Sequence, residues 1–267
     1  MTREDRAASL RKHSSGVVKS VLSPSTAAKL RKIIYEESER DRYSPGDHTQ
    51  VFILEPEARW QGMPHLEDAI VRRALREIGE HPIVRPLLED VVSPRASLVS
   101  FSAIRADYGS TAQTWHSDAG LIKTPYGFDQ PFVHDFFSLS IALQDVTEGM
   151  GETGVCPGVH TPDGRDIGVG ESVIDDFDGG VTCWYHDPID DLFESGSPDD
   201  MCIRATLGVG DGLFFKGDVY HRGSDHVDPE AEERINLFVL FMASKEGSKD
   251  TRMPVGSEIL QMGYAQR

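Results

Sequence analysis

Hydrophobic positions in the first third of the chain recur with the period of an α-helix. Ile70, Ala74 and Ile78 are four residues apart and fall on one helix face, and a similar apolar stripe follows the Ser-Pro pair at residues 23–24. A Ser-Pro pair is typical of a helix start, because serine caps the first N–H groups and proline fits the first turn. The pattern therefore predicts mostly helical structure over residues 21–97.

The period changes to two from residue 98 onward. Leu139 and Ile141 alternate with Ser138 and Ser140, so one face of this strand is apolar and the other is small and polar. The polar face suits the lining of a cavity. Further short alternating runs are separated by turns rich in Gly, Pro and Asp, which is typical of a β-sandwich or barrel.

Length and composition fit a single globular domain over residues 1–267. The chain has 39% hydrophobic and 8% aromatic residues, which is enough apolar material for a core. We expect a mainly β protein with flanking helices, built on a double-stranded β-helix, the jelly roll of cupin type. Residues 1–20 are polar and charged and are predicted to be flexible, residues 21–97 to form the helical flank, and residues 98–245 the jelly-roll core.

The net charge of −17 restricts the possible partners. It repels phosphate backbones and anionic membrane surfaces, so we expect a small-molecule substrate and neither nucleic acid nor a membrane as partner. No run of about 18 apolar residues occurs, and no apolar segment follows the charged N-terminus as it would in a signal peptide. Cys156, Cys183 and Cys202 lie far apart without zinc-type spacing, which suits a reducing cytoplasm.

Candidate metal ligands occur at two separated places. His116 and Asp118 are two residues apart, so in an extended strand both side chains reach the same side. His221 would complete a set of two histidines and one carboxylate, which leaves positions open on a metal and is typical of non-haem Fe(II) sites that activate oxygen. A second His-x-Asp pair, His226 and Asp228, has no distal partner after it and is interpreted as a surface pair.

The blocks around these residues resemble the phytanoyl-CoA dioxygenase superfamily of Fe(II)/2-oxoglutarate oxygenases, and most closely the metal frame of ectoine hydroxylase. Four blocks follow the family's order and together span residues 98–242. They are Trp115-His116-Ser117-Asp118, the strand from Leu139 to Thr147, the turn Gly154-Val155-Cys156-Pro157-Gly158-Val159-His160, and the segment from Gly210 to His221 followed by Arg234-Ile235-Asn236-Leu237.

The resemblance implies that His116, Asp118 and His221 hold Fe(II), and that Arg234 binds the distal carboxylate of the co-substrate 2-oxoglutarate, with O₂ as oxidant. The planar fork of arginine matches a carboxylate with two parallel hydrogen bonds. Arg234 follows His221 by 13 positions (234 − 221), slightly farther than is usual in the family. The alternative is a surface arginine paired with the glutamates at 232–233.

Two positions depart from the family pattern. Relatives often have a serine two residues after the distal histidine, where it helps to hold 2-oxoglutarate; here that position is Gly223, and Ser224 follows it. Relatives commonly have an asparagine where this chain has Arg105, which either binds a carboxylate of the co-substrate or substrate or forms a strand-end salt bridge. We assign Arg234, Arg105 and Ser224 to the co-substrate. Phe101 and Trp184 are assigned to the substrate pocket, although aromatic residues in such barrels more often belong to the core.

The expected function is that of an Fe(II)- and 2-oxoglutarate-dependent oxygenase that hydroxylates an unactivated C–H bond of a small molecule, releasing succinate and CO₂. The presence of Asp118 favours hydroxylation, desaturation or ring formation over halogenation, because halogenating relatives lack the carboxylate. Two alternatives are a non-catalytic cupin-like accessory or sensor module and a metal enzyme that does not use 2-oxoglutarate. The acidic chain disfavours a phosphate-rich CoA thioester as substrate and favours a zwitterionic, cationic or neutral compound.

Overall fold

The structure, a computed structural model, describes residues 2–43, 58–94, 96–113, 115–116, 136–160, 174–177, 180–183, 202–217 and 219–243. These residues include four helices: α1 (Arg3–His13), α2 (Pro24–Tyr43), α3 (Ala69–Glu80) and α4 (Val84–Val91). They also include eleven strands: β1 (Ser15–Val18), β2 (Arg59–Gly62), β3 (Ala96–Ala106), β4 (Phe136–Ala142), β5 (Thr153–His160), β6 (Ile174–Phe177), β7 (Gly180–Cys183), β8 (Ile203–Ala205), β9 (Gly212–Lys216), β10 (Val219–Gly223) and β11 (Arg234–Ala243).

The strands form antiparallel sheets. The largest has six strands in the order β1-β9-β4-β11-β3-β2, and a second has three in the order β10-β5-β8. β6 and β7 pair as a separate two-stranded ribbon. The prediction of a mainly β protein with flanking helices is confirmed in the described part of the chain.

The two faces of the six-stranded sheet differ as the alternation predicts. Phe101 and Leu139 pack into the main hydrophobic core together with residues of the helices such as Ile78. Ser102 and Ser138, which point the other way along the same strands, line a cavity. The helical layer therefore covers one face of this sheet, and the opposite face is left to build a site.

The predicted helices of the 21–97 region are present. α2 begins at Pro24, and the hydroxyl oxygen of Ser23 accepts a hydrogen bond from the Thr26 N–H at 3.3 Å. The carboxylate of Asp68 caps α3 by accepting from the Ile70 N–H at 2.6 Å, and the stripe that includes Ala74 is buried. The apolar stripe was sufficient to place α3, and the Ser-Pro pair marked the start of α2.

The N-terminal segment, for which the sequence predicted flexibility over residues 1–20, forms α1 and β1 in the structure. α1 begins with a capping box in which Thr2 and Asp5 satisfy each other's backbone N–H groups, and Leu10 is buried. Arg3 donates from Nε to Asp90 Oδ2 of α4 at 2.7 Å, and β1 pairs with β9. These contacts join residues 87 to 200 positions apart, which a local hydrophobic pattern does not reveal.

Cys156 and Cys202 form a disulfide, which contradicts the interpretation of the cysteines as residues of a reducing cytoplasm. Cys156 lies on β5, and Cys202 directly precedes its neighbour β8. The bonded residues are 46 positions apart, so their spacing alone gives no indication of the pairing. The disulfide packs beside Trp115 and Tyr220. Within the described ranges, no helix is long and apolar enough to cross a membrane.

Candidate active site

A cavity of about 280 Å³ lies against the polar face of the six-stranded sheet. β3 and β4 contribute mainly serines to its wall, β11 contributes Arg234 and apolar side chains, and β10 contributes its histidine. The residues relevant to chemistry are His116, His221, Gln113, Thr153, Gly223 and Arg234, all of which line it. Candidate metal ligands and a candidate anion-binding group therefore share one chamber.

His116 and His221 lie side by side in the cavity. Each donates its backbone N–H to the other's carbonyl oxygen, at 3.0 and 2.8 Å, and the two ring centroids are 4.4 Å apart. Nδ1 of His221 lies 3.0 Å from the Val219 carbonyl oxygen, so the tautomer that donates from Nδ1 leaves Nε2 with a lone pair for a metal. The ring of Phe215, 4.6 Å away, packs against His221. Two of the three predicted ligands are thus brought together.

The third predicted ligand, Asp118, lies outside the described residues, as does Trp184. In the ranges that are described, no group of three His, Cys, Asp or Glu side chains comes together. The pair of histidines fits Fe(II), because neutral imidazole suits this ion and an adjacent histidine pair leaves room for a carboxylate and small ligands. Asp118, two residues after His116, remains the predicted third ligand.

Arg234 begins β11 and is almost fully buried, with 1% of its surface exposed. Its Nη1 is 3.5 Å from the Thr153 hydroxyl, and its Nε has no hydrogen-bond partner among the described residues. The pKa of Arg234 is lowered to about 9, mainly by burial and also by the nearby Arg59 guanidinium, while the Glu152 carboxylate opposes the shift. A buried guanidinium in this environment is costly, and a bound carboxylate would offset the cost.

The alternative of a surface Arg234 paired with its neighbouring glutamates is excluded. Glu232 and Glu233 instead bind Arg31 of α2, with N–O distances of 2.9 and 2.5 Å. Arg234 does not take part in these ion pairs and instead lines the cavity. Arg234 is therefore a buried residue of the cavity wall and not part of a surface ion pair.

The assignment of Arg105 to the co-substrate is wrong. Its Nε donates to Asp107 at 2.7 Å, its Nη1 donates to Ser38 and Glu39, and its guanidinium lies over the ring of Tyr35. Burial lowers the pKa of Arg105, but the hydrogen bonds to Asp107 and Glu39 outweigh it and the net shift is upward. The salt-bridge alternative is the correct one, and it ties β3 to α2.

Two further assignments are corrected by the direction of their strands. Phe101 is fully buried in the core beneath the helices, so it does not contact the cavity that Ser100 and Ser102 line. Ser224 is also fully buried and donates its backbone N–H to the Glu152 carbonyl oxygen, whereas the cavity is lined by Gly223 before it. Neighbouring residues of an extended segment point to opposite sides. Phe101 and Ser224 therefore face away from the cavity that their chain neighbours line.

The second His-x-Asp pair does not join the site. His226 is fully buried, so its interpretation as a surface residue is wrong, and its Nε2 lies 3.0 Å from the Glu232 carbonyl oxygen. It holds the turn before β11 instead of lining the cavity. Gln113 and Thr153, which do line the cavity, were not singled out from the sequence. Gln113 lies three residues before His116 but outside the regular strands, so no periodic pattern in the sequence marks it.

Comparison with known proteins agrees with this arrangement. The family model for phytanoyl-CoA dioxygenase (PhyH) matches residues 16–229. No curated protein sequence matches the chain at a significant level.

Several solved structures share the fold. The non-haem α-ketoglutarate-dependent carbocyclase SnoK of nogalamycin biosynthesis is 16% identical with a TM-score of 0.62, covering 95% of this chain and 92% of that one. The non-haem α-ketoglutarate-dependent epimerase SnoN of the same biosynthesis is 19% identical with a TM-score of 0.56, covering 90% and 82%. EctD from S. alaskensis, with bound Fe, is 16% identical with a TM-score of 0.59, covering 90% and 76%.

These similarities confirm the predicted cupin-type jelly roll. The matched segment of the family model extends from β1 to the turn before β11, which is well over half of the 267 residues. It includes His116 and His221 and ends before Arg234. The chain therefore belongs to the phytanoyl-CoA dioxygenase family.

Proposed function

We propose that this protein is an Fe(II)- and 2-oxoglutarate-dependent oxygenase that hydroxylates an unactivated C–H bond of a small molecule and releases succinate and CO₂. The observation that carries the proposal is a single cavity that contains two adjacent histidines and a buried arginine without a carboxylate hydrogen-bonded to it among the described residues. Two of the solved relatives support the same cofactor and co-substrate, since SnoN forms a complex with Fe3+ and α-ketoglutarate and EctD binds Fe.

Each residue has a separate role in this proposal. His116, His221 and Asp118 hold the iron, which when bound supplies the oxygen chemistry together with 2-oxoglutarate. The Val219 carbonyl oxygen fixes the His221 ring through Nδ1, so that Nε2 keeps its lone pair toward the metal. Arg234 binds the distal carboxylate of 2-oxoglutarate and sets the direction in which the co-substrate lies across the cavity.

The overall charge of the chain restricts the class of compound proposed as substrate. The net charge of −17 supports a zwitterionic, cationic or neutral compound over a CoA thioester, and a small-molecule partner over a nucleic acid or membrane. A cytoplasmic location stays a prediction, now without the support of the cysteines, since two of them are joined in a disulfide.

The proposal is tested by turnover of the purified protein reconstituted with Fe(II) in air. Succinate should form only when iron, 2-oxoglutarate and O₂ are all present, and a substrate from a panel of amino-acid-like and neutral compounds should increase it and gain one oxygen atom. Omission of each component provides the control. If the iron-loaded protein forms no more succinate than the iron-free protein with every compound, a non-catalytic module or a 2-oxoglutarate-independent enzyme is the better account.

A further inference from the structure

The disulfide between Cys156 and Cys202 lies one strand position away from a cavity histidine. Val155 is opposite Ile203 in the pairing of β5 with β8, and the same register places Cys156 opposite Cys202. Val155 is also opposite His221 in the pairing of β5 with β10. β5 therefore connects the disulfide directly to the strand that carries a predicted iron ligand.

The sulfur atoms lie on the side of β5 that faces away from the cavity. Paired residues of antiparallel strands have their side chains on the same face, so Val155 shares the face of His221 and Cys156 lies on the other. There Cys156 is fully buried in one cluster with Trp115 and Tyr220. Each of these aromatic residues directly precedes a cavity histidine in the chain. The disulfide thus belongs to the layer behind both histidines.

Trp115 is held closely in this layer. The guanidinium of Arg222 lies over its ring, 4.4 Å from the ring centroid. A Cβ atom added to Gly154 would be 2.9 Å from Cη2 of Trp115, closer than real Cβ contacts, so the ring needs glycine at this position of β5. A displacement of Cys156 would therefore press on a ring that is already in contact with two strands.

Reduction of the disulfide changes the space that its sulfur atoms need. Bonded sulfur atoms are about 2 Å apart, whereas heavy atoms in non-bonded contact are about 3.5–4 Å apart. Two thiols must separate by the difference, on a side where Trp115 and Tyr220 are packed. Reduction also leaves β8, an edge strand of three residues, without this covalent link to β5.

We propose that the Cys156–Cys202 disulfide is a reversible redox site that controls the retention of iron. In the oxidised form it holds His116 and His221 in the arrangement that binds Fe(II), and its reduction to two thiols weakens that binding. The inference rests on the proposed function, because it requires iron at the two histidines.

The reductant that fits this site is a dithiol. Cys202 is only partly buried and Cys156 is fully buried, so a thiolate of the reductant attacks Sγ of Cys202. The S–S bond breaks, and Cys156 leaves as a thiolate that takes up a proton. The second thiol of the reductant then displaces Cys202, so two electrons and two protons pass from the dithiol to the disulfide.

The test compares Fe(II) binding by the oxidised and the reduced protein under anaerobic conditions. A trialkylphosphine reduces the disulfide and becomes the phosphine oxide, with water supplying the oxygen atom and the two thiol protons, and the reagent is removed before titration. Fe(II) affinity should fall about tenfold to a hundredfold on reduction, the range for groups that orient metal ligands. Thiol titration should count one thiol before reduction and three after it, and circular dichroism should show the same fold.

Variants of the cysteines provide the controls. Cys183→Ala, which removes the cysteine outside the disulfide, should keep the full response to the phosphine. Cys156→Ala/Cys202→Ala should have one Fe(II) affinity with or without the phosphine. If neither form of wild type binds Fe(II), the proposed function fails and this inference fails with it. If the oxidised form binds Fe(II) and the reduced form binds it equally well, or if reduction unfolds the protein, only the redox site is overturned.

Discussion

Arg234→Ala is expected to weaken the binding of 2-oxoglutarate by about 2–5 kcal/mol, the typical effect of truncating one partner of a buried charge pair. The reason is that Arg234 is buried in the cavity wall and binds no carboxylate side chain through a hydrogen bond among the described residues. Arg234→Lys should restore only part of the affinity, because an ammonium group does not form two parallel hydrogen bonds. Anaerobic titration of the Fe(II)-loaded variants with 2-oxoglutarate measures the difference, and iron affinity should change little.

Arg105→Ala is the matched control, since Arg105 is also a buried arginine on the six-stranded sheet. Its partners are Glu39 and Asp107, so the variant should lose roughly 1.5–3 kcal/mol of unfolding free energy, as expected for charged hydrogen bonds, and keep its affinity for 2-oxoglutarate. Equal loss of affinity in both variants, or none in Arg234→Ala, would contradict the different roles given to the two arginines.

Without 2-oxoglutarate, replacing Arg234 should maintain or raise the stability of the folded protein instead of lowering it. The pKa of Arg234 is lowered in the folded state, so below pH about 9 only the folded protein bears the cost of burying the charge. Arg234→Leu should therefore unfold at a temperature equal to or above that of wild type, while 2-oxoglutarate should stabilise wild type and not the variant. Thermal unfolding with and without the dicarboxylate provides the comparison.

The second large effect concerns the metal. His221→Ala and Asp118→Ala should each lower Fe(II) affinity by more than about 100-fold, because loss of a residue that merely orients a ligand already costs 10–100-fold. Retention of the fold is expected, since the hydrophobic core beneath the helices does not depend on these side chains. Equilibrium binding of Fe(II) under anaerobic conditions, with circular dichroism to check folding, measures both quantities.

The chain offers its own control in the second His-x-Asp pair. Asp228→Ala removes a carboxylate at the same spacing from a histidine as Asp118, but near a turn outside the cavity. It should leave Fe(II) affinity unchanged. A protein in which Asp228→Ala releases the iron and Asp118→Ala does not would place the metal at His226 and remove the basis of the proposed site.

The sequence predicted the features that depend on local pattern. Alternation along β4 and β11 separated the core face from the cavity face, the Ser-Pro pair placed the start of α2, and the apolar stripe placed α3. The same alternation, applied to β3, would have corrected the assignment of two predicted site residues. Ser100, Ser102 and Ile104 of β3 face the cavity, so Phe101 and Arg105 on the other parity must face the helices.

The remaining differences depend on contacts between distant parts of the chain. The ion pair from Arg3 to Asp90 holds α1 against α4, and the disulfide joins Cys156 to Cys202. A short stretch of sequence does not indicate either contact. Gln113 lies outside the regular strands, where no period of side chains indicates which way it points. Its contact with Gly223 required the three-dimensional register of β10 against the segment before His116.

The most direct test of the central claim is crystallography of the protein grown anaerobically with Fe(II) and 2-oxoglutarate, with diffraction recorded at the iron absorption edge. The account predicts one anomalous peak bound by His116, His221 and Asp118, with 2-oxoglutarate extending from it so that its distal carboxylate meets Arg234. An anomalous peak away from these histidines, or 2-oxoglutarate bound with Arg234 contacting only protein groups, would contradict it.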